Sequence, residues 1–299
     1  MFGGKVGWAA FVMRGRVQRF LRPSLYDWSS LQVSFIISTG RTATKFLAKL
    51  LSTAFERMDA RHEPSPDLFD IGTRFARSEA TLEAACAELR DARLHICGQV
   101  RRSGCDHYIE ANNNLAYLIT PLRRLFPDAR IIHLVRDGRD FVRSAYSKTA
   151  RPGAGRGRPA LVMSEEDHRR RLQASDLPDD PYRSRWPQMS RFERICWYWQ
   201  RKDGIICEAL RSDELALTVK FEDVFNQSSA YQGFWDMVNF LGLRTRLSVT
   251  VDRVHEVMGR KENATEEYLL PSWTDWSPEQ ARQFREIAGD YLESCGYNL

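Results

Sequence analysis

Short contiguous apolar runs alternate along the chain with longer segments of helical spacing. The runs "VSFIIS", "ARIIHLV" and "LALTVKF" are bounded by chain-breaking or charged residues. Such runs are the pattern of strands buried on both faces. Strands are predicted at Val33–Ser38, Glu56–Arg61, Leu94–Val100, Arg130–Val135 and Leu215–Phe221. Helices are predicted at Thr42–Thr53, Glu79–Asp91, Asn112–Phe126, Gly138–Lys148 and Arg191–Arg211, with "FPDAR" as a stop after the third. Strand alternating with helix predicts an α/β fold: one P-loop-like domain with a mostly parallel five-stranded sheet flanked by helices and right-handed crossovers.

The alternation breaks once. Residues 148–194 hold 11 Lys/Arg against 7 Asp/Glu, with "RPGAGRGRP" and "DLPDDPYRSRWP" inside. A long irregular insertion in a compact domain is either a functional lid or a surface excursion, and a basic lid over an anionic ligand is the functional expectation. From Thr250 onward a polar helix, "ENATEEYLLPSWTDW" and a helix from Pro278 to Cys295 are expected to return over the sheet. No linker divides the chain, so residues 1–299 are read as one domain.

Composition changes little in this picture. The 299 residues are 43% hydrophobic and 28% charged, with a formal net charge of +5. That balance suits anionic ligands but is too weak to imply nucleic acid. No apolar run reaches membrane-spanning length. The segment Val6 to Met13 is followed, not preceded, by Arg14, Arg16 and Arg19. It reads as a basic amphipathic segment packed on the domain rather than a secretory signal, with weak peripheral membrane contact as the lesser reading. Cys86, Cys97, Cys105, Cys196, Cys207 and Cys295 form no C-x-x-C pair and no zinc spacing. Reduced thiols and a cytoplasmic location are expected.

The chemistry gathers after the first strand, in "STGRTATKF". Gly40 permits a sharp turn, and Thr39, Thr42 and Thr44 supply hydroxyls. The N–H groups of the following helix point outward with the positive end of its dipole. Arg41 and Lys45 add two cations, making a phosphate- or sulfate-type anion site. A nucleotide-hydrolysing loop would follow its lysine with a Ser or Thr that holds Mg²⁺. Here Phe46 follows Lys45, so chemistry through fixed cations, with no metal, is expected. One strand away, "HLVRDGRDFVRS" places Arg136 at a strand end, Asp137 as a helix cap, Gly138 at the turn and Ser144 eight residues after Arg136. Arg136 and Ser144 can then reach one anion.

Together these two motifs resemble the sulfotransferases that use 3′-phosphoadenosine 5′-phosphosulfate (PAPS). "VKFEDVF" and "ICWYWQR" are similar to further segments of that family, and the resemblance runs from about Phe35 to Leu243. Ala43 departs from the family's frequent Gly, and Arg41 is the residue type common in carbohydrate-type and bacterial members. The resemblance implies that Gly40, Arg41, Thr42, Ala43, Thr44 and Lys45 cradle the 5′-phosphosulfate. It assigns Arg41 to the bridging oxygen that gains charge in the transition state, and Arg136 and Ser144 to the 3′-phosphate. Phe46 matches an adenine-stacking position and equally fits a core residue. Arg260 and Lys261 resemble late 3′-phosphate cations. Trp197 and Trp199 read as packing residues.

An acceptor hydroxyl needs a base. "DARHEPSPD" follows the second predicted strand, and "HEP" resembles the base loop of carbohydrate-type members. Glu63 is the first candidate and His62 the second, with His107 and Glu110 of "HYIEANNN" as rivals. The expected function is sulfuryl transfer to a hydroxyl of a small-molecule or glycan acceptor, of carbohydrate or glycolipid type. The alternatives are a small-molecule P-loop kinase and a non-catalytic nucleotide-binding module.

Overall fold

The computed structural model describes Met13 and residues 27–147, 171–260 and 268–299. Five strands form one sheet: β1 (Gln32–Ile37), β2 (Met58–His62), β3 (His107–Ala111), β4 (Arg130–Val135) and β5 (Ala216–Lys220). Their order is β2-β3-β1-β4-β5 and every pairing is parallel. All five C-terminal ends therefore lie on one edge. From central β1 the chain runs to β2 and β3 on one side and to β4 and β5 on the other. The crevice at such a switch point is where open α/β sheets hold their ligands.

Within residues 27–147, 171–260 and 268–299 the helices include α1 (Thr44–Ala54), α2 (Phe69–Ala76), α3 (Leu82–Arg102), α4 (Ile119–Leu125), α5 (Gly138–Tyr146), α6 (Arg191–Ala209), α7 (Phe221–Val224), α8 (Gln232–Phe240) and α9 (Val251–Met258). A last helix, α10 (Pro278–Phe284), runs through a π-helical turn, Arg285–Gly289, into α11 (Asp290–Ser294). β1 shows why the sheet must be covered twice. Val33, Phe35 and Ile37 pack with Leu89, Ile96 and Leu122 on one face, while Ile36 packs with Leu47, Phe234 and Val254 on the other. Successive strand side chains point to opposite faces, so an all-apolar strand needs helices on both.

One strand expectation is corrected. Leu94–Val100 is the last third of α3. Ala85, Leu89, Ala92, Ile96 and Val100 are buried at helical spacing on one stripe. The strand that completes the sheet is β3, whose polar residues hid it. All five of its positions are buried. Glu110 is paired with Arg93, and His107 is bonded to Ser34 at 3.0 Å.

The lid expectation for 148–194 lies only in part within the described residues. Residues 148–170 lie outside the described residues, as does the basic N-terminal segment except Met13. In the stretch after Arg171, Leu172, Ala174, Trp186 and Met189 are buried against α5, α6 and the last helix. Trp197 and Trp199 are buried in the same cluster, and Trp197 Nε1 donates to Asp180.

Candidate active site

The turn between β1 and α1 has an unusual backbone. Gly40, Arg41 and Ala43 all adopt positive φ, at 99°, 61° and 51°. Left-handed residues beside the start of a helix turn successive N–H groups toward one concavity, the arrangement that binds anions. Ala43 is the N-cap of α1 and offers no side-chain cap, so the first-turn donors are left to a ligand or solvent. Ser38 stiffens the turn, its Oγ accepting from Gly40 N at 3.1 Å and from the Thr42 hydroxyl at 2.8 Å. The hydroxyl of Thr42 thus braces the loop from within. Thr39 and Thr44 are buried, while Lys45 is exposed at the start of α1.

The second motif closes on the first. Asp137 caps α5, accepting from Arg139 N at 2.8 Å. Gly138 admits the Trp199 ring, which would stand 2.5 Å from an added Cβ. Arg136 Nη1 donates to the Arg41 carbonyl at 2.6 Å, and its guanidinium lies 4.8 Å from the centroid of the Phe221 ring. Arg41 Nε donates to Ser144 Oγ at 2.9 Å. Arg41, Arg136 and Ser144 therefore form one cationic cluster, although 103 residues separate its first and last members. Burial, then the neighbouring Arg136, holds the Arg41 guanidinium below its ordinary pKa. An anion placed between the two cations would offset both effects.

Across the crevice stands the loop after β2. Glu63 has φ 42°, and its N–H donates to the Ala111 carbonyl at 3.1 Å. One carboxylate oxygen accepts from Asn113 Nδ2, and the other lies 3.9 Å from His62 Nε2. Asn113 also lines Gly40: an added Cβ there would sit 3.7 Å from the Asn113 side chain. Glu63 is thereby tied to the phosphate-type turn. His62 Nδ1 faces the Ala111 carbonyl at 3.2 Å.

The rival bases are committed elsewhere. Glu110 is fully buried, receives Arg93 through both oxygens at 2.6 and 2.7 Å, and accepts from Tyr108 OH and Asn112 Nδ2. Burial would lower the Arg93 pKa, but Glu110 outweighs it and holds the guanidinium above its ordinary value. Arg93 also donates to the Pro66 carbonyl at 2.7 Å, pinning the Glu63 loop. His107 begins β3, at the edge opposite the crevice, and burial lowers its pKa to about 3.

Two cofactor expectations are corrected. Phe46 is buried on the Phe225 ring, 5.8 Å between centroids, in the core rather than open to a base. Arg260 follows the end of α9 and is paired with Glu256 of that helix, not with the Arg136 cluster. Lys261 lies outside the described residues. The sequence reading missed Asn113 and Lys202. Lys202 Nζ donates to Asn113 Oδ1 at 3.0 Å from the buried face of α6. The "ANNN" run marked a polar strand end, but nothing in the spacing joined it to Lys202.

The model of the sulfotransferase family matches residues 34–175, which span the turn, the Glu63 loop and the Arg136–Ser144 segment. Over that segment, just under half of its length, the chain is similar to the sulfotransferase family. Among solved structures, sulfotransferase STF9 from Mycobacterium avium is 12% identical with a TM-score of 0.53, covering 95% of this chain and 82% of that one. This likeness shows a shared fold. STF1 from Mycobacterium tuberculosis H37Rv is 11% identical, TM-score 0.49, covering 91% and 81%. A sulfotransferase from Alicyclobacillus acidocaldarius is 15% identical, TM-score 0.44, covering 90% and 97%. No curated protein sequence matches the chain.

The residues of this site fit a nucleotide with two anionic groups, such as PAPS. Arg136 Nε is buried with no partner among the described residues, a donor left over beside Arg41 and Ser144. The uncapped start of α1 and the positive-φ turn supply a second set of donors next to it. Among the described residues, no group of three His, Cys, Asp or Glu is placed to hold a metal ion, and no helix is long and apolar enough to cross a membrane.

Proposed function

We propose that this protein is a sulfotransferase that moves a sulfuryl group from PAPS to a hydroxyl of a carbohydrate or glycolipid acceptor. The observation that carries the donor assignment is the junction of Arg136, Arg41 and Ser144 at the C-terminal edge of the sheet. PAPS supplies the sulfuryl group and a phosphate leaving group. Arg136 and Ser144 hold its 3′-phosphate, and Gly40 to Lys45 receive the 5′ end. Arg41 stands where charge grows on the leaving oxygen, and fixed donors aimed at developing charge are the main source of rate in such a transfer. Glu63 takes the acceptor proton from the opposite side of the Gly40 turn. Its bond from Asn113 leaves it acceptor capacity, since an ionised carboxylate has about four lone-pair sites. The carbohydrate class rests on the likeness of "HEP" to the base loop of carbohydrate-type members.

The test compares adenosine 3′,5′-bisphosphate with ADP by calorimetry, with and without Mg²⁺. The bisphosphate binds far more tightly and metal has no effect. Equal affinities, or strict metal dependence, would return the site to a kinase. Transfer of ³⁵S-sulfuryl to a panel of glycans, glycolipids, phenols and amines then reads the acceptor class. Binding without transfer to any acceptor would leave a non-catalytic nucleotide-binding module.

A further inference from the structure

Lys202 sits in the middle of α6 and is 2% exposed. Its Nζ donates to Asn113 Oδ1 at 3.0 Å and to Tyr198 OH at 3.2 Å. The Tyr117 and Tyr198 ring centroids lie 5.6 and 5.5 Å away. Among the described residues, no carboxylate forms an ion pair with it. Burying an ammonium on neutral partners is costly, and a packed apolar side chain of similar volume would serve stability as well.

The bridging amide gives that burial a direction. Lysine can only donate, so Asn113 turns its oxygen to Lys202 and its NH₂ to Glu63. The amide dipole lies between a cation and an anion in its favourable sense. Charges face this line from every side. His62 lies beside Glu63, while Tyr198, Arg171 and Tyr117 surround Lys202. Arg171 Nη1 donates to Tyr198 OH at 3.1 Å. Burial lowers the Lys202 pKa, Tyr198 opposes that, and Arg171 adds to it. Burial would raise the Tyr198 phenol, but Lys202 and Arg171 outweigh it and lower it to about 8.

We infer that Lys202 is a positioning residue for Glu63, holding the carboxylate aimed beside the Gly40 turn through the Asn113 amide. Its role in turnover rests on the reading of Glu63 as the base, but the coupling itself can be read without an acceptor.

The experiment labels glutamate carboxyl carbons with ¹³C in the full chain and follows their titration by NMR, with Glu63→Gln assigning the Glu63 signal. In Lys202→Met the Glu63 midpoint moves up by about one pH unit, the low end of the effect of an opposite charge at close range. Lys202→Gln keeps a donor to Asn113 without the charge and gives a similar shift. In an Asn113→Ala background, Lys202→Met adds less than half of its original shift. Binding of adenosine 3′,5′-bisphosphate stays within about twofold throughout, which also reports that each variant is folded. An unmoved midpoint in both Lys202 variants overturns the inference. Full shifts in the Asn113→Ala background overturn the amide route. If Lys202→Met does not bind the nucleotide, Lys202→Gln alone decides. Normal turnover in Glu63→Gln would remove the base reading while leaving the measured coupling intact, so the two failures are distinct.

Discussion

Arg136 donates to the backbone carbonyl of Arg41 at 2.6 Å, while the Arg41 side chain reaches Ser144 at 2.9 Å. The residue expected at the leaving oxygen and those expected at the 3′-phosphate are therefore one mechanical unit. Arg136 fixes the left-handed Arg41 from behind, and Arg41 spans the turn to α5.

Arg136→Ala should weaken binding of adenosine 3′,5′-bisphosphate by about 1.5–3 kcal/mol, the worth of a charged hydrogen bond. Because Arg136 also holds the Arg41 carbonyl, turnover should fall further than affinity. Calorimetry and single-turnover transfer separate the two effects. Unchanged affinity would put the 3′-phosphate elsewhere.

Arg93 and Glu110 lie below the Glu63 loop as a buried, doubly bonded pair. Arg93→Met leaves the Glu110 carboxylate buried without its cation, a loss of about 3–5 kcal/mol. Urea unfolding should show this as a lower midpoint at constant m-value. The double variant Arg93→Met, Glu110→Gln should recover part of the loss. A single variant as stable as the parent would mean that the pair is dispensable.

What could be read in the sequence follows from where polar groups find their partners. β1 and β4 were legible because buried parallel strands are apolar throughout, and the turns after them concentrate Gly, hydroxyl and basic residues. β3 was not, because Tyr108 and Glu110 satisfy their polar atoms together with Arg93 of α3, a pairing made only in three dimensions. The Leu94–Val100 run misled for the converse reason. In a 21-residue helix, seven residues from a wide buried stripe read locally as a strand. At the site, the Arg136-to-Ser144 interval and the "HEP" loop were visible. Lys202 was not, since a lysine amid the aromatics of α6 carries no mark of the asparagine it meets. Phe46 shows that a position matching a family contact can be filled by the core.

Two groups of histidines set opposite limbs of the stability–pH curve. His133 Nε2 is 3.0 Å from Asp203, both fully buried. Burial alone would lower its pKa, but Asp203 outweighs this and raises it from 6.5 to about 9. A raised folded-state value gives stability that is complete below 6.5 and lost as pH rises through about 9, here on the order of 3 kcal/mol. His107 and His95 run the other way. Burial lowers them to about 3 and about 4, so their contribution is present above 6.5 and is lost as pH falls. Urea unfolding across the pH range should trace both limbs. Asp203→Asn should flatten the alkaline one, and a persistent alkaline slope would exclude the His133–Asp203 pair as its source.

The base assignment makes the most demanding prediction. Glu63→Gln keeps the side-chain volume and should leave bisphosphate binding within about twofold, because the proposed nucleotide contacts are Arg41, Arg136 and Ser144. It cannot take a proton, so transfer should fall about 10²–10⁴-fold, the usual share of general-base catalysis. His62→Asn is the discriminating control. His62 Nδ1 faces the Ala111 carbonyl, and its Nε2 lies 3.9 Å from Glu63, so it can tune the carboxylate without receiving the proton itself. Its loss should cost less than about tenfold. Glu110→Gln serves poorly as a control, since it unbalances Arg93 and lowers stability whatever its effect on rate. If Glu63→Gln retains near-normal turnover and His62→Asn collapses, the base is His62. If both remain active, the acceptor hydroxyl is activated without either side chain.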